Sequence, residues 1–222
     1  MADLPDKVFV VIGASGALGS RIAQRLADAG ASLTVSVHSG SCPVEGAHTV
    51  TADLREPAAP QQIIDAAIQQ HGHLDGVVIA AGIAAFGPLT EIGDDTVDDL
   101  VLVDFLGPLR VLRAALPVLE PGGVVAGISA VLAEQPVAGM ATYSAVKAAA
   151  SALFLAAAKE ARRSKIRVLD IRPPHTETGL ADRAIAGEAP KMPQGADPDA
   201  VAQRIVEAIL GNERELPSSA FA

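Results

Sequence analysis

The chain has 222 residues, 50% hydrophobic and 19% charged, a size and balance that suit one compact domain and exclude a disordered chain. A net charge of −9, one tyrosine and no tryptophan speak against nucleic acid, which is held by clustered Lys and Arg and by aromatic stacking, and leave a small-molecule substrate as the expected partner. The lone cysteine, Cys42, excludes an intramolecular disulfide. With an N-terminal stretch (Met1-Ala2-Asp3-Leu4-Pro5-Asp6-Lys7) unlike a basic-then-apolar leader, it gives the expectation of a cytoplasmic protein.

In chain order, apolar strands alternate with helix-like segments, the pattern of a parallel sheet covered on both faces. An apolar run over 8–12 ends in glycine and reads as a buried first strand. Residues 16–29 carry Leu18, Ile22, Ala23 and Leu26 at helical spacing, and Gly30 stops that helix. An alternating, β-branched stretch at 32–37 predicts the second strand and 48–51 a short third. The connection between them is shorter than the dozen or so residues a helical crossover needs, so no ordinary helix is expected there.

A helix over 58–70, a fourth strand at 76–80 and a long helix over 96–119 follow. The last should bend near Gly107-Pro108, because proline cannot donate the hydrogen bond due there. The fifth strand is read at 123–128, a long helix at 140–163, the sixth strand at 167–171, and a last helix at 198–210 with Asp197 as its cap and Pro198 at its first position. A short strand near Leu216 closes the sheet, and the Gly-, Pro- and Ala-rich 179–198 segment reads as loop. The longest nearly apolar stretch, 148–158, is too short for a bilayer, which needs roughly 20 apolar residues.

Three places carry chemistry. Gly13-Ala14-Ser15-Gly16-Ala17-Leu18-Gly19 joins the first strand to the first helix, where glycines let the backbone approach a pyrophosphate and the helix N-terminus offers free N–H groups. After the second strand, where an acid would read the ribose 2′-hydroxyl of NAD, stands Val37-His38-Ser39-Gly40. The missing carboxylate leans toward NADP over NAD, with His38 either at that position or a surface loop residue. Tyr143 and Lys147 lie one helical turn apart, so the ammonium can lower the phenol's pKa from about 10 toward working pH and let it exchange a proton with an alcohol or carbonyl.

With its other landmarks the chain resembles the short-chain dehydrogenase/reductase family over nearly its whole length. The landmarks are the glycine turn, Ala52-Asp53-Leu54, Ala80-Ala81-Gly82, Val103-Asp104-Phe105, Tyr143-Ser144-Ala145-Val146-Lys147 and Pro173-Pro174-His175-Thr176-Glu177-Thr178. The resemblance implies a single-domain Rossmann-like fold, a doubly wound parallel α/β sheet of about seven strands, assembled as a homodimer or homotetramer through its two long helices. It implies NADP or NAD held by Gly13, Ser15, Gly16, Ala17, Leu18 and Gly19, with His38 and Ser39 near the ribose. Asp53, with Leu54, would reach the adenine, and Ala80, Ala81 and Gly82 would pack near the adenosine. Pro173, Thr176 and Thr178 would hold the carboxamide and pyrophosphate side. Tyr143 would be the general acid/base, and Lys147 would bind the nicotinamide ribose.

The chain departs from the family pattern at several positions. Ala17 stands where the commonest turn has a glycine, Ala80 where asparagine braces the strands, and Pro174 where glycine follows the first proline. Asp104 replaces the helix asparagine that ends the proton relay; its carboxylate would either pair with Lys147 or hold the relay water. Ala130 occupies the place of the catalytic serine, and Ser129 is adjacent. Either a bulge turns Ser129 inward or, as strand alternation favours, the hydroxyl is missing from the site. His175 is read as a polar group over the substrate or as a solvated loop residue, Glu177 as a brace of its loop, and Cys42 as inert. Three readings stand on these residues: a carbonyl–alcohol oxidoreductase, a dinucleotide-binding sensor or scaffold with little turnover, and a dehydratase or epimerase on the same scaffold.

Overall fold

The computed structural model describes residues 4–41 and 44–221. Cys42 and Met1-Ala2-Asp3 of the N-terminal stretch lie outside the described residues. Seven strands form one sheet: β1 (Val8–Ile12), β2 (Ser32–Val37), β3 (His48–Thr51), β4 (Gly76–Ile79), β5 (Val124–Ile128), β6 (Arg167–Ile171) and β7 (Glu215–Leu216). Their order is β3-β2-β1-β4-β5-β6-β7 and every pairing is parallel. All residues of β1 and β4 are buried, which is why these strands read as unbroken apolar runs without alternation.

Among the described residues six α-helices cover the sheet: α1 (Ala17–Asp28), α2 (Ala59–His71), α3 (Asp94–Val101), α4 (Gly107–Ala115), α5 (Ala141–Ala161) and α6 (Pro198–Leu210). Ile63 of α2, Val111 of α4 and Phe154 of α5 share one core with one face of the sheet, while Ile22 and Leu26 of α1 and Ile205 of α6 share another with the opposite face. Asp197 caps α6 by accepting from the Ala200 amide at 3.1 Å, with Pro198 at the first position. Between β2 and β3 no helix occurs among the described residues.

The long helix expected over 96–119 is three pieces. It starts at Asp94, passes through a π turn at Leu102–Leu106 and ends at Ala115. The irregularity falls just before Gly107-Pro108: Pro108 has no N–H for the carbonyl one turn back, and the Gly107 amide reaches Leu102 instead. Helix α5 also exceeds its apolar stretch. With the turn that follows, Ala141–Ser164 is long and apolar enough to cross a membrane by composition. Yet its buried residues Tyr143, Val146, Lys147, Ala150, Phe154, Ala157 and Ala161 form one stripe, and the ring of Phe154 lies over Gly127 of β5.

Sheet order reverses direction between β1 and β4, and at such a switch the loops leaving the strand C-termini part to form a crevice. The loops after β1, β4, β5 and β6 all end there.

Candidate active site

The glycine turn is built by close approach. Gly13 has φ +83°, and a methyl group on it would lie 2.6 Å from the Ala81 backbone, so strand-end loops β1 and β4 touch only because no side chain intervenes. A methyl on Gly19 would run into the Gly13 carbonyl oxygen, which seats the first turn of α1 directly on the loop. That helix begins at Gly16 without a side-chain cap. Its first-turn residues Gly16, Ala17 and Leu18 line a cavity of about 660 Å³ that also takes in Ala80, Ala81 and Gly82, the loop after β5, Tyr143, Lys147 and residues 173–176 and 178. Ser15 is exposed beside it.

At the other wall, α5 presents Tyr143 and Lys147, only 7% and 5% exposed. The Lys147 ammonium lies 5.7 Å from the Tyr143 ring centroid and donates to Asp104 Oδ1 at 3.3 Å. Asp104, delivered by the π turn, also accepts from the Ile83 amide at 3.2 Å, and its Oδ2 has no partner. A methyl on Gly82 would stand 2.9 Å from Asp104 Oδ1, so the loop after β4 closes over this pair.

Burial pushes the Asp104 carboxyl above its ordinary range, with Lys147 pulling back. Burial would depress Lys147, but the Asp104 and Tyr143 charges outweigh it and hold the ammonium above its usual value. For Tyr143 the sequence expectation of a lowered pKa is corrected. Burial raises it, Lys147 lowers it less, and Asp104 adds to the rise, leaving the phenol above its ordinary value.

Ala130 borders the cavity in extended conformation. The Ser129 residue also borders it, but its hydroxyl donates to Asp170 Oδ1 at 2.6 Å, with the Ile171 carbonyl at 3.1 Å. Asp170, 1% exposed, also accepts from Ser151 at 2.6 Å and from Arg172 at 2.7 Å. The Arg172 guanidinium fans out to Glu134 and Glu215 as well, and Glu134 accepts from the Ser218 hydroxyl. Nothing in the sequence flagged this cluster, whose members come from distant segments.

His38, Ser39, Asp53 and Leu54 do not line the cavity; His38 Nε2 lies 3.4 Å from Asp53 Oδ2 and is largely exposed, as is Ser39. The other Asp53 oxygen accepts from the Arg55 amide at 2.9 Å, and Arg55 forks onto Asp99 at 2.6 and 3.1 Å. The side chain of Leu54 is buried in the core against Gly107, so only its backbone can face a ligand. In the loop after β6, Thr176 donates to the Pro174 carbonyl, Thr178 accepts from the Leu180 amide, and Pro173, His175, Thr176 and Thr178 all line the cavity. His175 Nε2 stands 3.6 Å from Glu177, whose carboxylate accepts from the Gly195 amide at 2.6 Å and so braces the loop.

The loop after Thr178, expected from the sequence to line the substrate pocket, is part of the cover over Tyr143; Phe86 was not expected there. Phe86 meets the Tyr143 ring edge-on at 6.5 Å, and Met140, Leu180 and Met192 pack in the same cluster. The 180–193 segment, read as loop, is pinned there by the Ile185 amide on the Ala84 carbonyl and the Phe86 amide on Ala186. The arrangement fits a dinucleotide: an uncapped helix N-terminus for phosphate at one end of the cavity, and a buried phenol and ammonium at the other.

A family model described as short chain dehydrogenase matches residues 7–189. An uncharacterized oxidoreductase of Staphylococcus epidermidis is 29% identical over 225 residues, covering 97% of this chain and 98% of its own. Ipsdienol dehydrogenase of Ips pini is 30% identical, covering 83% of this chain and 80% of its own. Among solved structures, a blue fluorescent protein from a metagenomic library, in complex with NADPH, is 25% identical with a TM-score of 0.86 over 99% of both chains.

Proposed function

The chain belongs to the short-chain dehydrogenase family, and on that premise we propose that it is a nicotinamide-dinucleotide oxidoreductase interconverting a carbonyl and a secondary alcohol, with NADP(H) preferred. One observation carries the reading: the uncapped first turn of α1 and the Tyr143–Lys147 pair open onto the same cavity. Bound nicotinamide would supply the hydride. The backbone N–H groups at Gly16, Ala17 and Leu18 hold phosphate, and Asp53 and the 80–82 backbone hold the adenosine. Lys147, kept charged by Asp104, binds the ribose. Tyr143 gives its proton to the carbonyl oxygen in reduction and takes one from the alcohol in oxidation. The NADP preference is supported by the run His38-Ser39-Gly40 after β2, which has no acid to repel a 2′-phosphate, and by the NADPH carried by the similar metagenomic protein.

The engaged Ser129 hydroxyl and Ala130 favour a second reading, a dinucleotide-binding sensor with little turnover, since Ser129, the one serine lining the cavity among the described residues, already donates to Asp170. One experiment separates the two. Purified protein is titrated with NADPH and NADH and then assayed against a panel of ketones, aldehydes and secondary alcohols. The enzyme reading requires turnover that falls by roughly 10²–10⁴ in Tyr143→Phe while NADPH binding persists. Tight binding with no turnover on any compound assigns the sensor, and absence of binding removes both.

A further inference from the structure

The cavity over Tyr143 has a charge pattern unlike the rest of the chain. The protein carries 26 Asp and Glu against 17 Lys and Arg. Yet among the described residues no carboxylate lines the cavity, whereas Lys147, Arg183 and Lys191 do. Lys147 is matched by Asp104. Arg183 and Lys191 have no carboxylate partner among the described residues; the one hydrogen bond of the Arg183 guanidinium there is a long one, 3.4 Å, to the Thr178 carbonyl. The acids of the same stretch lie elsewhere: Glu177 and Asp182 line an adjoining depression that includes neither cation, and Glu188 is exposed and lines neither space. The covering segment therefore sorts its charges, with cations toward the cavity and acids away from it.

Its position assigns these cations to the reacting end. The segment is held by the Ile185 and Phe86 amides to the 84–86 stretch, and Leu180 and Met192 pack into the cluster that contains Tyr143. The cavity they border is largely apolar on its β5-loop and cover walls, with Phe86, Leu132, Val137, Met140 and Met192, and uncharged Gln135 among them. A carboxylate entering such surroundings loses its hydration, and only opposite charge or hydrogen-bond donors at the mouth offset that loss. Arginine's planar fork meets a carboxylate with two parallel bonds, and a lysine nearby adds a point charge.

We infer that the substrate is an amphiphilic anion, an apolar body bearing the carbonyl or alcohol and ending in a carboxylate held by Arg183 and Lys191. The reacting group rests on the oxidoreductase reading; the anion site rests on the sorted charges alone. Both cations are exposed, so the preference they confer is moderate and sensitive to salt.

The test uses the protein saturated with NADPH, whose binding is measured first and reports on the oxidoreductase reading by itself. Octanoate and 1-octanol, which share one apolar body, are then titrated by calorimetry. Octanoate should bind about tenfold tighter than octanol at low salt, and the gap should shrink as ionic strength rises past about 0.15 M. Arg183→Gln/Lys191→Gln, two exposed substitutions, should abolish the preference with octanol affinity and NADPH affinity unchanged. The inference is overturned if the two probes bind alike, if neither binds, or if the double variant loses NADPH instead, which would assign the cations to the cofactor's phosphates.

Discussion

Replacing Arg172 by Met should cost the fold several kcal/mol, roughly what breaking a buried ion pair from one side costs. Asp170 is 1% exposed and its three donors are Ser129, Ser151 and Arg172, of which only the guanidinium carries charge. At 2.7 Å and an effective dielectric of about 20, the attraction between the two is about 6 kcal/mol before desolvation. Met recovers the desolvation of the guanidinium but leaves the carboxylate buried with two neutral hydroxyls. Breaking a buried pair from one side costs about 3–5 kcal/mol. The other two pairs, to Glu134 and to the half-exposed Glu215, add at most about 1 kcal/mol each. A domain of this size is stable by about 5–15 kcal/mol, so about a fifth or more of that margin is at stake. The measurement is urea denaturation of the wild type, Arg172→Met, Asp170→Asn and the double variant. The double variant should fall well short of the sum of the singles, because the stranded charge is gone. A loss below about 1 kcal/mol in Arg172→Met, or strict additivity, would refute the view that the guanidinium neutralises Asp170.

Asp104→Asn removes the carboxylate that raises the Tyr143 pKa while keeping acceptors for Ile83 and Lys147, so the phenolate should form at lower pH. Tyr143 is the only tyrosine, and the near-ultraviolet phenolate absorbance of the whole protein therefore reports it directly. In the oxidation direction, where the phenolate accepts the proton, the rising limb of kcat/KM should move to lower pH; an unmoved or upward-shifted titration contradicts the assigned role of the carboxylate. Ala130→Ser restores a hydroxyl at the cavity wall and should raise kcat/KM by up to about 10², the lower end of what one oxyanion donor contributes. Ser129→Ala should instead leave the rate near wild type and cost about 1–3 kcal/mol in denaturation, because Asp170 loses a donor. Gly19→Val drives a side chain into the Gly13 carbonyl, and should weaken NADPH binding and lower stability by about 1–3 kcal/mol.

Much of this fold could be read from the chain because its central strands are buried on both faces, so apolar continuity marks 8–12 and 76–79 without any tertiary information. The capping of α6 was equally local, with Asp197, Pro198 and the Ala200 amide lying within three residues of one another. Hidden features depend on partners far along the chain. The destination of the Ser129 hydroxyl is set by Asp170, 41 residues on. The 180–193 cover reads as loop because its order comes from pairing with 84–86, not from its own periodicity. The direction of the Tyr143 shift was misread for a related reason. A lysine one turn away is visible in sequence, whereas the burial that outweighs it is a property of the packed cluster.

The π turn at Leu102–Leu106 bears on how this helix is to be aligned with others. A π turn holds about one residue more than the α-helix it interrupts, so a 3.6-residue wheel drawn straight through α3 and α4 is roughly 100° out of phase beyond Gly107. Deleting one residue inside the turn would put the two halves back in phase and swing the carboxylate of position 104 away from the ammonium, with both flanking helices intact. The surplus residue thus acts as an angular setting, and an aligner that places a gap here erases it.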